Sequence, residues 1–308
     1  MKKFILKTLV FLSPIPLAFI LGILLPTTPR ASKSLLMASI GKNSLLQNTP
    51  SPRIIFVGGS NLCFGLDSKT IKDSLKLNPI NTAIHALIGI KYMIDNTSEY
   101  IQKGDIVILV PEYGHYYRGL DAGSEELMRT VFDVDFMNIK HLNLPQLSNI
   151  VPFLPKYILT KFKISEYHNF KDSDIYSVNS FNQYGDTYTH LEKEQEHFDP
   201  YSTIGGEFND DVVRYFEKFQ IELNKKGASL YVSFPCYQEA SYNNSIIQIR
   251  KVQEELRKSK LQIIGSAEKY KMPDSLLYNT PYHLNKKGIE YRTMMMIEDI
   301  KKAQNNKK

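Results

Sequence analysis

Ser60, in the stretch RIIFVGGSNLCFG, is the residue whose type and setting first point to chemistry. The apolar, β-branched run Ile54-Ile55-Phe56-Val57 stops at Gly58-Gly59-Ser60-Asn61, and Gly65-Leu66-Asp67-Ser68 then leads into Thr70-Ile71-Lys72. That pattern predicts a buried strand, a glycine-rich turn and a helix start. A serine so placed stands at the carboxyl end of a strand, where open α/β sheets hold their ligands. Serine also suits plain turns and N-caps. Three more stretches end predicted strands or precede the last helix: Ala86-Leu87-Ile88-Gly89, Pro111-Glu112-Tyr113-Gly114-His115-Tyr116-Tyr117, and YNTPYHLNKKG from Tyr278 to Gly288. In a parallel sheet all four arrive at one edge. The Ser60 hydroxyl, a Gly89 amide and His283 gathered there are the parts of a serine esterase site. The imidazole would take the hydroxyl proton and later return it, while the amides of Ser60 and Gly89 met the developing oxyanion.

The elements that must position these residues alternate. Strands are expected at 54–57, 79–83, 106–110, 229–234 and 261–264, and helices near 70–77, 90–101, 210–226, 244–256 and after Asn285. Val212, Phe216, Phe219 and Leu223 form one apolar stripe, stopped by Gly227 in the C′ position. Strands alternating with helices imply an α/β fold with a mainly parallel sheet covered on both faces. Residues 112–209 break the rhythm, with helices expected only near 125–132 and 147–161. A long insertion of this kind reads as a lid or cap. Its Tyr, His, Asn and Asp content makes a greasy, lipid-gating lid the least favoured reading.

The N-terminus is separate. Lys2, Lys3 and Lys7 introduce an apolar stretch, and residues 8–26 number nineteen without a charge, close to the roughly 20 residues that span a bilayer. The lysines predict a cytoplasmic start, with everything after Arg30 on the extracytoplasmic side. No Ala-x-Ala site follows, so an uncleaved transmembrane helix is expected rather than a removed signal. The domain reading is an anchor at 1–30, a linker at 31–51, one domain at 52–300 and a basic tail at 301–308. The formal charge of +6 comes from the two ends: residues 34–300 hold 29 Lys and Arg against 32 Asp and Glu, a net of −3. Composition therefore gives no support to nucleic-acid binding. Cys63 and Cys236 each follow an apolar run and are expected to be buried free thiols rather than a disulfide. His168, His190 and His197 lack the spacing of a zinc site. No metal or cofactor is expected.

The order and spacing of these blocks resemble the SGNH hydrolases, or GDSL superfamily. They are most similar to its membrane-anchored extracytoplasmic members linked to polysaccharide or teichoic-acid acylation. The resemblance covers roughly residues 52–300. Gly58–Asn61 stands where that family has its Gly-Asp-Ser nucleophile block, Gly89 where its second block supplies an amide, and PYHLNKKG where its histidine precedes the final helix. The resemblance implies a three-layer α/β/α sandwich with a flavodoxin-like sheet, attack of serine on an ester carbonyl, and an acyl-serine intermediate released to water or to a sugar hydroxyl. It also implies work beside a multi-span, acyl-delivering membrane protein. Two positions depart from the family. Its acid usually stands three residues before the histidine, where this chain has Thr280, with Asn279 one residue further. Both are neutral, and Asp274 is the nearest upstream acid. The family's third-block Asn is absent, with Asn61 or Asn182 as candidate substitutes.

The expected catalytic set is Ser60, His283, Gly89 and Asn279. Asn61, Tyr113, His115, Asn182 and Asp186 are the expected contacts to an acylated glycan, although the turn at 180–190 reads equally as a bonded surface loop. The competing function is a non-catalytic glycan-binding or accessory protein on the same scaffold, which the neutral third position favours.

Overall fold

The computed structural model describes residues 1–305. Four parallel strands form the main sheet: β1 (Arg53–Gly58), β2 (Asn78–Asn81), β3 (Ile106–Val110) and β4 (Ser229–Val232), in the order β2-β1-β3-β4. Ile54 pairs with Pro79 on one side and Ile106 on the other, and Gly58 lies opposite Val110. Ile54–Val57 and Val107–Val110 are wholly buried, as continuous apolar runs must be when helices cover both faces. The chain reverses its winding between β1 and β3, and the carboxyl ends of these two strands open the crevice of a doubly wound sheet. Helices Ser68–Leu75, Ile90–Ser98 and Asp210–Lys225 pack on β2, β1 and β4. The last helix, Lys286–Asn305, packs on Ser68–Leu75. The fold is α/β with a parallel sheet, compatible with a three-layer sandwich.

Several expectations change. The strand expected at 261–264 is a single parallel bridge, Val232 to Ile263, because β4 ends at Val232 and leaves one residue of overlap. The helix expected near 244–256 is present as Ile246–Lys258, preceded by a separate short helix, Glu239–Asn244. The stretch 31–51 is folded rather than a linker. Its helix Ala38–Asn48 buries Ala38, Ser39, Lys42 and Leu46. The buried face is half polar, so no apolar stripe announces it. Lys42 donates to the carbonyls of Asn81, Ala83 and Gly185 at 2.9, 2.6 and 2.6 Å, which uses all three ammonium donors. It thereby joins this helix to the end of β2 and to the insertion.

At the N-terminus the expected single span is two helices, Lys2–Leu12 and Pro14–Leu24. Among the described residues no helix is long and apolar enough to cross a membrane. Pro14 and Pro16 supply no N–H to the helical ladder, although Ser13 keeps helical dihedrals (φ −59°, ψ −28°). In the insertion, Leu144–Ile150 and Leu154–Thr160 replace the one helix expected at 147–161. With Glu125–Arg129 they enclose a small second core of Leu127, Met128, Val131, Ile150, Tyr157 and Ile158. The outer surface is not polar as expected, because Phe136, Leu159, Phe162 and Ile164 are exposed. Of the expected basic tail, 301–305 continues the last helix, and 306–308 lies outside the described residues.

Candidate active site

Ser60 opens a one-turn helix, Ser60–Cys63, directly after β1. Space before it is tight, since a Cβ on Gly59 would lie 2.7 Å from Glu112 Oε1 and 3.0 Å from Ala86 Cα. Three loops therefore meet at the Ser60 turn, from the ends of β1, β2 and β3. Ser60 and His283 line one cleft of about 620 Å³, together with Phe64, His85, Ala86, Glu112, His115, Arg118, Thr280 and four tyrosines, Tyr176, Tyr201, Tyr237 and Tyr282. Tyr237 and Tyr282 stack at 4.5 Å, and Tyr176 and Tyr201 stand part-exposed in the same wall. Such a wall offers flat apolar faces beside polar hydroxyls.

His283 is held from three sides. Its backbone N–H donates to Thr280 Oγ1 at 3.2 Å, its ring stacks on Phe64 at 4.1 Å, and its Nδ1 lies 3.0 Å from Asn279 Oδ1. Because Asn279 Oδ1 only accepts, Nδ1 carries the proton and Nε2 is left as the basic nitrogen. Asn279 thus occupies the orienting position of a Ser-His-Asn set, analogous to the Cys-His-Asn arrangement of some proteases. Asp274 does not reach the ring and accepts instead from Gln238 Nε2 at 3.0 Å. Burial, with the nearby His190 and His85, pushes the His283 imidazole down to about 3. The ring is therefore the neutral free base at neutral pH, but a weak one.

Ser60 Oγ makes its hydrogen bond to Glu112 Oε1 at 3.4 Å, not to His283. The same carboxylate oxygen accepts from Asn61 N at 3.3 Å and Asn61 Nδ2 at 3.4 Å. Burial pushes the Glu112 carboxyl up, against these hydrogen bonds. The sequence reading did not single Glu112 out, although an acid directly after a wholly apolar strand was the available signal. Its charge matters chemically: an ionised carboxylate beside Ser60 opposes an oxyanion, whereas a protonated one can donate to it.

The structure moves several expected residues out of the cleft. Gly89, in a left-handed conformation at φ +93°, spends its N–H on Ala86 O at 3.1 Å, closing its own turn. The amides of Ser60 and Ala86, both cleft residues, have no acceptor among the described residues and are the better oxyanion donors. Asn61 is wholly buried, its Nδ2 on Glu112 and Val110 O and its Oδ1 accepting from Arg292 at 3.2 Å. Tyr113 is likewise buried, edge-on to Tyr237 at 5.5 Å, because it points from the end of β3 into the core. Asp186 accepts from Ser68 N, Ser68 Oγ and Asn81 Nδ2 at 2.8 to 2.9 Å, and Asn182 Oδ1 accepts from the Tyr184 and Asp186 amides. These two residues build a bonded turn away from the cleft. His115 does line the cleft, but both ring nitrogens are engaged. Nδ1 accepts from Glu112 N, and Nε2–H donates to Ala86 O, each at 3.0 Å. It positions two cleft loops as a neutral ring, which burial pushes down to about 4.

Arg292, on the last helix, lies beneath the Ser60 turn and donates to the carbonyls of Asn61 and Gly65. The element that carries His283 at its entrance therefore also clamps the Ser60 turn. Cys63 and Cys236 are free and buried, as expected. Comparison with family models, with curated proteins and with solved structures finds no match to this chain, and the site is read from its own geometry.

Proposed function

We propose that the protein is a membrane-anchored, extracytoplasmic serine esterase or O-acyltransferase of SGNH type. Its substrates are acyl esters, chiefly acetyl, of a cell-envelope or exported polysaccharide. The observation that carries this reading is the presence, in one cleft at the carboxyl edge of a parallel sheet, of Ser60 and of a His283 whose Nδ1 is fixed at 3.0 Å by Asn279. In this reading His283 Nε2 takes the proton as Ser60 Oγ attacks the ester carbonyl. The Ser60 and Ala86 amides receive the oxyanion, and the alcohol leaves with the proton returned by His283. Water or a sugar hydroxyl then takes the acyl group from Ser60 by the reverse sequence. The tyrosine wall supports a sugar as the substrate body, since ring faces pack on such surfaces. The apolar helices Lys2–Leu12 and Pro14–Leu24, with large side chains exposed along both, support the anchor. A multi-span membrane protein that delivers the acyl group is the partner this arrangement would serve.

Two observations favour a second reading, a glycan-binding accessory protein without turnover: Ser60 Oγ is bonded to Glu112, and the third position is a neutral Asn. Hydrolysis of p-nitrophenyl acetate by the full chain, beside Ser60→Ala and His283→Ala, separates the two. Activity lost in both variants supports the esterase. Equal background rates in all three, with glycan binding retained in Ser60→Ala, support the accessory protein.

A further inference from the structure

We infer that the insertion carries a second membrane contact, an apolar face that lies on the same bilayer as the N-terminal helices. The inference rests on the anchor reading above. Phe136, Met137, Leu159, Phe162 and Ile164 are 54, 66, 63, 62 and 79% exposed, a density of large apolar side chains that water-facing surfaces rarely keep. They gather around the exit of the apolar segment. Helix Leu154–Thr160 packs on Pro14–Leu24, with Ile158 against Gly22 so closely that a Cβ there would lie 2.4 Å from Ile158 Cγ2. Lys161 Nζ donates to Pro26 O at 3.2 Å, and Thr27 Oγ1 donates to Asp133 O at 2.6 Å. Thr28 Oγ1 and the Arg30 N–H both bond Glu166, at 3.0 and 3.1 Å. Each of the five exposed residues lies within four positions in sequence of one of these tethers, which ties the segments that carry them to the anchor.

A cation lies within the face: Lys163, between Phe162 and Ile164, is exposed, whereas Lys156 and Arg30, exposed nearby, pair with Glu125 and Glu166 at 2.8 and 3.4 Å. Apolar side chains interleaved with cations suit the headgroup boundary, where the stems snorkel and the cations meet phosphate. Lys161 does not share this role, because it is buried against Asp133 at 3.0 Å. The consequence for the site is positional. Leu35 lines the cleft and, even on a fully extended chain, is at most about 40 Å from Leu24. A docked insertion holds that cleft near the bilayer, where a glycan still at the membrane surface would meet it.

The chain contains no tryptophan, so single Trp reporters are clean. Full-length Phe162→Trp, Phe136→Trp, Phe11→Trp and Ile247→Trp would each be reconstituted in phosphatidylglycerol–phosphatidylethanolamine vesicles, with and without brominated phosphatidylcholine. Ile247 is 76% exposed on a helix outside the insertion. The inference expects bromine to quench Trp at 162, 136 and 11, and to leave Trp at 247 unchanged. Quenching at 11 alone overturns it and leaves the face to a protein partner or to water. Quenching at neither 11 nor the insertion overturns the anchor reading as well. Equal quenching at 162 and 247 reports unspecific adsorption and also overturns it.

Discussion

Asn279→Asp restores a negative charge behind His283, and its effect can be worked from one distance. Asn279 Oδ1 lies 3.0 Å from His283 Nδ1. A unit charge there attracts an imidazolium by about 5.5 kcal/mol at an effective dielectric of about 20. At about 1.4 kcal/mol per pKa unit this raises the ring by about 4 units, from its depressed value of about 3 toward 7. Two features hold the shift below that ceiling. Residue 279 is part-exposed, and Glu196 Oε2, 3.4 Å from Asn279 Nδ2, resists a second carboxylate. The imidazole is therefore expected to titrate at about 5 to 7. A stronger base that is still unprotonated at pH 8 should raise ester turnover by about 10²- to 10⁴-fold. Proton NMR of the His283 ring across pH reads the first quantity, and p-nitrophenyl acetate hydrolysis reads the second. A ring still titrating near its original value would refute the Nδ1 geometry. A ring that shifts without any gain in rate would refute His283 as the base.

An ionised Glu112 carboxylate, 3.4 Å from Ser60 Oγ, would oppose an oxyanion by about 5 kcal/mol at the same dielectric, and Glu112→Gln removes that opposition. Turnover at pH 7 to 8 is expected to rise and to lose any dependence on Glu112 protonation; abolished turnover would assign the base role to Glu112 instead. Lys42→Met leaves three buried carbonyls without their donor and Asp186 without a nearby cation. It is expected to cost about 3–5 kcal/mol in urea unfolding, and a loss below about 1 kcal/mol would contradict the tie between the 38–48 helix and the sheet. Acid should also destabilise the protein. His115 and His190 are held down to about 4 and His283 to about 3, against 6.5. The unfolded chain therefore binds more protons, and their stabilisation is complete above about pH 6.5 and lost as pH falls toward 4. Each histidine gives a slope of at most about 1.4 kcal/mol per pH unit, opposed by Glu112 and Asp186, whose carboxyls burial pushes up. Unfolding free energies equal at pH 7.5 and pH 5 would contradict this.

The parts of the site legible in the sequence are those announced by turn chemistry at the end of an apolar run. Ser60 after Gly59, and His283 with Asn279 before the Asn285-capped helix, needed only the rhythm of strand, turn and helix to be placed at one edge. Residues whose partners are backbone carbonyls left no such mark. Lys42 and Arg292 each serve carbonyls from distant segments, and a lysine in a weakly patterned stretch or an arginine in a helix looks solvated until the fold closes around it. The types of Gly89 and Asp186 suit an oxyanion amide and a glycan contact, but turn closure and helix N-terminal bonding use the same groups. The insertion was read as polar from its composition. Composition does not tell which apolar residues fold inward, and Phe162 and Ile164 remain outside while Tyr157 and Ile158 go in.

In the proposed reaction Ser60 carries the acyl group. The most direct test is intact-protein mass spectrometry of the full chain after rapid mixing with p-nitrophenyl acetate and an acid quench, followed by peptide mapping. The account predicts one acetyl group on the peptide containing Ser60, absent in Ser60→Ala and strongly reduced in His283→Ala. An unmodified chain, or acetylation unaffected by Ser60→Ala, would contradict it.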